Sequence, residues 1–171
     1  MNHTKKIHII LPFLIVPVLI FLDQLTKKLA VSMLAGKPSV VLINGVLELS
    51  YVENTGAAFS ILEGKMIVFY IITLFIGGGI VYYMIKMPKH GKFLLLYYTF
   101  AVLLAGAVGN LIDRVVYHYV VDFIYFSLIN FPVFNVADIY VTCSVFLVLI
   151  LLLFYYSEDE CNLVFSHKGT K

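Results

Sequence analysis

The chain has 171 residues, of which 61% are hydrophobic and only 13% are charged. Soluble domains carry roughly a quarter charged residues, so this composition and a mean hydropathy of +0.97 indicate a membrane protein. The formal net charge is only +2 and the basic residues are scattered along the chain, which argues against a nucleic-acid partner.

Four apolar stretches are long enough, or nearly so, to cross about 30 Å of hydrocarbon as helices. They cover about residues 7–25, 66–85, 93–112 and 139–156. The first contains Pro12 and Pro17, which helices in lipid tolerate when neighbouring helices satisfy the freed carbonyl groups. The sequence therefore predicts an all-α polytopic membrane protein with four transmembrane helices.

The N-terminal segment also has the pattern of a cleavable signal peptide, because lysines precede the apolar run Ile9–Leu22. No small-x-small cleavage site follows this run directly, and cleavage would discard Asp23. We interpret the segment as an uncleaved span of a single membrane-embedded domain, residues 1–171.

Four spans place both termini on the same side of the membrane, together with the loop between the second and third spans. Seven lysines share that side: Lys5, Lys6, Lys86, Lys89, Lys92, Lys168 and Lys171. By the positive-inside rule this side is cytoplasmic. Tyrosine pairs at 82–83, 97–98 and 155–156 would form a belt at the same depth.

The first outer connection, about residues 38–60, contains two strand-like runs around Asn44-Gly45, a dipeptide typical of a tight hairpin turn. Along the second run, Leu47, Leu49 and Tyr51 would face one way. The pattern predicts a small extracytoplasmic antiparallel sheet on the outer membrane surface.

The second outer connection, about residues 115–137, is apolar but too short and too interrupted by Pro132 to span the membrane, so we interpret it as an interfacial segment. Asp122 and Asp138 lie near its two ends, and no lysine or arginine accompanies them. Because both ends of the segment return to the same face of the bundle, we expect the two carboxylates to meet at the mouth of the helices.

Polar residues recur near the outer ends of the predicted spans, where ionisable groups are costly and usually face a cavity. They are Asp23, Lys27, Asn54, Asn110, Asp113, Arg114, Asp122, Asn135 and Asp138. Two structural interpretations stay open. Asp23 and Lys27, four apart, could form an interfacial ion pair, and Asn135 with Asp138 has the spacing of a helix N-cap followed by a first-turn acid.

Helix capping gives Asp122 no purpose, since it lies between Val121 and Phe123 in a strand-like run. Two carboxylates in a poorly hydrated site share one proton and titrate as a unit. An aspartic protease uses this arrangement, with the ionised partner taking a proton from water and the protonated partner binding the scissile carbonyl. His118 is interpreted as an interfacial polar residue.

Other chemistry has little support in the sequence. Cys143 and Cys161 show no metal-ligand spacing, so no metal and no cofactor are expected. The run Ile76–Ile80, "IGGGI", is interpreted as a close helix-packing patch.

Five short motifs occur in order along the chain: "DQLTK" (23–27), "NTGAAFS" (54–60), "AGAVGNLIDR" (105–114), "VVDF" (120–123) and "FNVAD" (134–138). Together, on a four-span chain of this length, they resemble the lipoprotein signal peptidases, also called signal peptidase II. One departure follows the last motif, where Ile139 stands in place of the Ser or Thr common in the family.

The resemblance implies a bacterial inner-membrane aspartyl endopeptidase that removes the signal peptide of a prolipoprotein just before a diacylglyceryl-modified cysteine. Its active site would lie near the outer face, with membrane lipid and the lipid-modified precursor as partners. It also implies that Asp122 and Asp138 are catalytic. The supporting positions are Asp23, Lys27, Asn54, Gly56, Asn110, Arg114, Asn135 and Ala137.

Three other functions compete with the peptidase interpretation. A small proton-coupled transporter would use the same carboxylates as a relay, although such proteins usually place them near the bilayer midplane. Presenilin-type and prepilin-type proteases carry a Gly-x-Gly-Asp-like motif that "VVDF" and "FNVAD" lack. A structural scaffold would leave the outer polar cluster unexplained.

Overall fold

The computed structural model describes residues 3–56 and 66–165. In chain order the elements are α1 (His3–Leu34), β1 (Val40–Ile43), β2 (Leu47–Asn54), α2 (Met66–Lys86), α3 (Phe93–Tyr117), β3 (Val120–Tyr125), α4 (Val136–Ile150) and α5 (Glu158–Phe165). A short 3-10 turn, Ser127–Ile129, precedes α4, and a π-helical turn, Leu151–Tyr155, extends it. Residues 57–60 of the predicted hairpin segment, and Lys168 and Lys171, lie outside the described residues.

Within the described ranges, three helices are long and apolar enough to cross a membrane: Met66–Lys86, Phe93–Tyr117 and Val136–Tyr155. They correspond to three of the four predicted spans. The first predicted span lies inside α1, a helix of 32 residues that continues through Pro12 and Pro17. The mostly helical membrane architecture is therefore confirmed, while a fourth crossing is not.

Helix α3 occupies the centre of the bundle and packs against α1, α2 and α4. Two of its glycines allow the closest approaches. A Cβ atom on Gly106 would lie 2.6 Å from the carbonyl oxygen of Ala137, and one on Gly109 would lie 2.6 Å from Asp23 Oδ2. Since no side chain larger than hydrogen fits without displacement, these glycines bring α1 and the start of α4 against α3.

The predicted packing patch at Ile76–Ile80 is wrong. A Cβ atom on Gly77 would meet Leu104 at 3.8 Å, an ordinary contact distance, and no atom of the described residues lies within 4 Å of the positions that Cβ atoms on Gly78 and Gly79 would occupy. Ile80 is buried against the neighbouring helices, but the glycines leave room for side chains, so the glycine run does not bring two helices close together.

The three strands form one antiparallel sheet in the order β1-β2-β3. The predicted hairpin is confirmed, with Gly45 in the left-handed conformation (φ 68°) that its turn requires. Leu49 and Tyr51 pack against a small apolar cluster that includes Ala30 and Leu34 of α1. The sheet is thereby attached to the C-terminal end of α1.

Strand β3 was not predicted as part of this sheet. It comes from the middle of the segment interpreted as interfacial, and it pairs with β2 so that Val52 lies opposite Asp122 and Asn54 opposite Val120. The pairing brings Asn54 next to Asp122 from a distant part of the sequence. It also leaves β3 at the edge of the sheet, facing the ends of the helices.

The opposite end of the bundle is apolar and aromatic. Its core is a cluster of buried residues that includes Leu96, Tyr97 and Leu151. Lysines lie on the outer surface of this cluster, with Lys86 over the ring of Tyr82, Lys89 over Tyr97 and Lys92 over Tyr155. The predicted tyrosine pairs therefore gather at one end of the helices. Helix α5, which was not predicted, closes this end.

Candidate active site

Asp122 lies in β3 with 2% of its surface exposed. Both of its carboxylate oxygens accept hydrogen bonds from amide side chains. Asn54 Nδ2 donates to Oδ2 over 2.8 Å, and Asn135 Nδ2 donates to Oδ1 over 2.6 Å. The strand and the loop before α4 thus hold this side chain from two sides.

Asp138 lies in the first turn of α4, where it completes a capping box with Asn135. Its backbone N–H donates to Asn135 Oδ1 over 2.9 Å, and its Oδ2 accepts the backbone N–H of Asn135 over 3.1 Å. The capping geometry considered from the sequence is therefore present. It uses one oxygen only, because Oδ1 accepts a 2.7 Å hydrogen bond from Asn110 Nδ2.

Asn135 joins the two aspartates. Its side-chain nitrogen donates to Asp122 and its side-chain oxygen accepts from the backbone of Asp138. Its backbone N–H donates to Asp138 Oδ2, so one residue that is fully shielded from solvent contacts both carboxyl groups.

Both aspartates line a cavity of about 450 Å³. The lining residues are Asn54, Asn110, Arg114, Val120, Asp122, Phe131, Pro132, Val133, Phe134, Asp138, Ile139, Thr142 and Cys143. Polar side chains come from α3, α4, β2 and β3, whereas the loop before α4 supplies apolar ones. A molecule in this cavity would meet the two carboxyl groups beside an apolar wall.

The electrostatics of Asp122 are those of a group that holds its proton unusually well. Burial, followed by the nearby charge of Asp138, raises the pKa of Asp122 to about 6, against the lowering effect of hydrogen bonds from Asn54 and Asn135. Asp138 is less buried and lies at a helix N-terminus, where negative charge is favoured. The two carboxyl groups therefore differ in environment, with the neutral form favoured at Asp122.

Behind the two aspartates lies a buried charge cluster. Lys27 Nζ is 3.0 Å from Asp23 Oδ2 and 3.0 Å from Asp113 Oδ2, and it donates to Asn110 Oδ1 over 3.0 Å. Lys27 and Asp23 are 3% and 0% exposed. The ion pair considered from the sequence is therefore present, but it is buried, and a second carboxylate, that of Asp113, shares the lysine.

Arg114 approaches the cavity from the last turn of α3. Its guanidinium donates to the carbonyl oxygens of Gly56 (3.2 Å) and Asn110 (3.4 Å), and it lies 4.5 Å from the centre of the Phe69 ring. Its buried Nε has no hydrogen-bond partner among the residues that the structure describes. Gly56 in turn donates its N–H to Asn54 Oδ1 over 2.9 Å, so the arginine supports the residue that holds Asp122.

All ten residues predicted for the site lie in one connected hydrogen-bonded network. Ala137, the last of them, donates its backbone N–H to Asp23 Oδ1 over 3.0 Å. Sequence reasoning missed two participants. Asp113 was noted but given no role, and Gln24, whose Nε2 donates to Asp113 Oδ1 over 2.8 Å, was not singled out. The spacing of Asp113 three residues after Asn110 was the available signal, since it places both on one helix face.

The remaining candidates stay at the margin. His118 is exposed and ends α3 in a left-handed conformation (φ 64°). Across residues 3–56 and 66–165, no three His, Cys, Asp or Glu side chains are grouped so that they could hold a metal ion.

The fold and this cavity define a class: a polytopic membrane protein with paired carboxyl groups at one end of its helical bundle. A family model described as signal peptidase (SPase) II matches residues 15–154. The chain belongs to the signal peptidase II family, and it is a bacterial membrane peptidase.

Individual relatives agree with this assignment. The lipoprotein signal peptidase of Caldanaerobacter subterraneus subsp. tengcongensis is 45% identical over 82% of this chain and 94% of its own length. That of Enterococcus faecalis is 43% identical over 82% of this chain and 86% of its own. The family assignment gives no support to the transporter alternative.

Two solved structures of bacterial membrane enzymes share the fold. One superposes with a TM-score of 0.75 at 36% identity and covers 94% of each chain. The other gives a TM-score of 0.72 at 35% identity, covering 85% of this chain and 94% of its own.

Proposed function

We propose that this protein is an aspartic-type signal peptidase II that removes the signal peptide from lipid-modified lipoprotein precursors, with Asp122 and Asp138 as its catalytic pair. The observation that carries the proposal is the shared cavity, in which one asparagine, Asn135, binds both aspartates. The function of the curated relatives supports the substrate class, since those proteins are lipoprotein signal peptidases.

The environments of the two carboxyl groups suggest their roles. Asp122 is the more buried, and its raised pKa suits it to hold the shared proton and hydrogen-bond the scissile carbonyl. Asp138 is the ionised base, because it is better hydrated and its negative charge is favoured at the start of α4. A water molecule between substrate and Asp138 gives its proton to that carboxylate as its oxygen attacks the carbonyl carbon.

The tetrahedral diol that forms carries the proton supplied by Asp122 on one of its oxygens. Its carbon–nitrogen bond then breaks while Asp138 passes the proton taken from water to the leaving amine. Asp122 recovers its proton from the diol as the new carboxyl group forms. Both aspartates return to their starting states, and the net reaction consumes one water per bond.

The cavity wall suits a substrate with lipid chains. Phe131, Phe134 and Ile139 line it on the side of the loop before α4 and the first turns of that helix. We propose that the diacylglyceryl chains of the precursor cysteine lie along this wall, so that cleavage falls just before that cysteine. Arg114 then binds a substrate carbonyl oxygen through Nε, the donor without a partner in residues 3–56 and 66–165.

The membrane arrangement proposed is four spans in the bacterial inner membrane, with α1 as the first. Both termini are cytoplasmic and the catalytic pair lies near the outer face. The lysines around the tyrosine rings at the opposite end of the bundle favour this orientation.

Orientation is tested with a single cysteine placed between Lys86 and Lys92 after replacement of Cys143 and Cys161 by serine. A membrane-impermeant thiol reagent should label it in inverted vesicles and not in intact cells. Labelling from outside intact cells would contradict the proposed orientation. It would not bear on the peptidase assignment, which is tested separately.

The function is tested by incubating purified protein with a lipid-modified precursor and measuring the masses of the products by mass spectrometry. The expected products are the free signal peptide and a chain that begins with the lipid-modified cysteine. Asp122→Asn and Asp138→Asn should each be folded and still bind precursor but cleave almost none of it. If Asp138 served capping alone, Asp138→Asn would cost about 1 kcal/mol or less of stability and keep its turnover.

A further inference from the structure

The residue before each proposed catalytic aspartate is held through its backbone by a buried carboxylate. Asp113 Oδ2, on α3, accepts the N–H of Val121 over 3.1 Å. Asp23 Oδ1, on α1, accepts the N–H of Ala137 over 3.0 Å. Each of these backbone donors immediately precedes Asp122 or Asp138 in the chain.

Both donors are groups that regular secondary structure leaves free. Val121 lies in β3, the last strand in the order of the sheet. Farther along this edge the N–H of Phe123 donates to the carbonyl oxygen of Phe134 over 3.0 Å, whereas the N–H of Val121 donates to Asp113. Ala137 lies in the first turn of α4, where N–H groups have no intrahelical partner. The two carboxylates therefore complete the strand and the helix at the two positions where the proposed catalytic side chains emerge.

Lys27 ties the two carboxylates together. Its Nζ lies 3.0 Å from Asp23 Oδ2 and 3.0 Å from Asp113 Oδ2. The third contact of the same nitrogen is Asn110 Oδ1, and the amide nitrogen of Asn110 donates to Asp138. One ammonium group thus joins Asp23 of α1 to Asp113 and Asn110 of α3, and Asn110 connects it to Asp138.

We propose that Asp113 and Asp23 form a positioning pair, tied by Lys27, that sets the separation and orientation of Asp122 and Asp138 by holding the backbone next to each. The proposal rests on the catalytic assignment made above and adds a role for Asp113. None of the three touches the reacting atoms, so their contribution is to geometry.

The cost of the arrangement argues that it serves geometry rather than stability. Asp23, Asp113 and Lys27 are 0%, 1% and 3% exposed. Burying charges costs several kcal/mol per ion, and well-packed apolar residues often stabilise as well or better. The same bundle builds an apolar core at its other end. Directional hydrogen bonds to two backbone groups are what apolar residues cannot provide.

The first test compares two substitutions of Asp113. In Asp113→Asn the amide oxygen can replace Oδ2 toward Val121 and Lys27, while the hydrogen bond that Gln24 donates to Oδ1 is lost. In Asp113→Leu no acceptor remains. Because misplacement by about 1 Å can cost about 100-fold in rate, we expect kcat to fall about 100-fold in the leucine variant and about tenfold or less in the asparagine variant. KM should stay within about threefold in both.

A matched control on the same helix is Thr99→Val. Thr99 is buried, and its hydroxyl donates to the carbonyl of Leu95, far from the site along α3. Valine has nearly the size and shape of threonine, so this variant removes one buried hydroxyl far from the site. Its unfolding temperature should change while kcat stays the same. The positioning role is overturned if the leucine and asparagine variants of Asp113 have equal kcat, or if their loss lies in KM.

A second pair keeps the proposal testable if Asp113→Leu does not accumulate in the membrane. Lys27→Met removes the ammonium group between Asp23 and Asp113 and leaves these two carboxylates without a shared cation. Adding Asp113→Asn removes one of those charges and keeps the acceptor for Val121, so the double variant should have a higher kcat than Lys27→Met alone. A double variant with the same kcat or a lower one contradicts the proposal.

Asp122→Asn is assayed alongside to separate the two claims. Substantial turnover by Asp122→Asn removes the catalytic assignment itself. An inactive Asp122→Asn, together with an Asp113 series of unchanged kcat, removes only the positioning role.

Discussion

The two ends of the helical bundle place their charged residues in opposite ways. At the end that meets the sheet, Asp23, Lys27 and Asp113 are almost wholly buried and bonded to one another. At the other end, the partly exposed Lys92 pairs with Glu160 on the outside of an aromatic cluster. Exposed ion pairs contribute little to stability, and buried ones do so only with full hydrogen bonding. The difference indicates that the buried charges are kept for the site they surround.

The largest difference between the regions is expected from a matched pair of glycine substitutions. In Gly109→Ala the new Cβ would lie 2.6 Å from Asp23 Oδ2, whereas in Gly78→Ala it would meet nothing within 4 Å. We expect Gly109→Ala to lose about 100-fold in kcat, since Asp23 must move, and Gly78→Ala to keep its turnover. Equal turnover in the two variants would show that contact with Asp23 does not matter.

Arg114→Ala should have a smaller effect. The guanidinium lines the cavity and binds the carbonyl of Gly56 without sharing the proton of the catalytic pair. We expect kcat/KM to fall roughly 10- to 30-fold, because positioning groups contribute by degrees. Arg114→Lys serves as the control, since lysine keeps the positive charge but lacks the planar guanidinium and its paired N–H donors. Wild-type kinetics in Arg114→Ala would contradict its proposed contact with substrate.

The pH dependence of stability should differ between wild type and Asp122→Asn. The pKa of Asp122 is raised from 3.8 to about 6, first by burial and then by the charge of Asp138. Between these values the folded protein holds a proton that the unfolded chain has lost. The stability from this group is therefore fully present below about pH 4 and is lost as the pH rises through about 6.

Measured against Asp122→Asn, the wild-type free energy of unfolding should fall by roughly 2 kcal/mol from pH 4 to pH 7. Denaturant unfolding in one detergent at several pH values gives this difference. A difference between the two proteins that does not change with pH would mean that Asp122 is not desolvated in the fold.

The smallest effect is expected at the end away from the sheet. Lys92→Met removes an ion pair with Glu160 and the contacts of the lysine with Tyr155 and Tyr156. Because the ion pair is partly exposed to solvent and lies far from the cavity, turnover should be unchanged and the unfolding temperature should shift little. A loss of turnover comparable to that of Arg114→Ala would contradict the claim that charged residues support turnover only at the end of the bundle that meets the sheet.

The sequence predicted the elements whose signal is local. Apolar length marked three spans and Asn44-Gly45 marked the hairpin, and the motif spacing identified residues that gather around the cavity. Pairing of β3 with β2 was not predictable in the same way, because it joins Asn54 to Asp122 across 68 positions. Its register depends on tertiary contacts rather than on any short pattern.

Two other outcomes show where local patterns are ambiguous. The run Gly77–Gly79 has the composition of a helix-packing patch, yet packing depends on which side of α2 faces a neighbour. The role of Asp113 depends on the free N–H of Val121, which exists only because β3 is an edge strand. Neither fact can be derived from residue types and spacing alone.

The most direct test of the account is the rate of precursor cleavage by Asp122→Asn, Asp138→Asn and the double variant, with wild type measured in the same detergent. Groups that share one proton act as a unit, so removing either should cost nearly the whole catalytic rate. A shared proton predicts that each single variant loses at least about 1,000-fold in rate and that the double variant is scarcely slower than either. Substantial turnover by either single variant, or losses that multiply in the double variant, would contradict it.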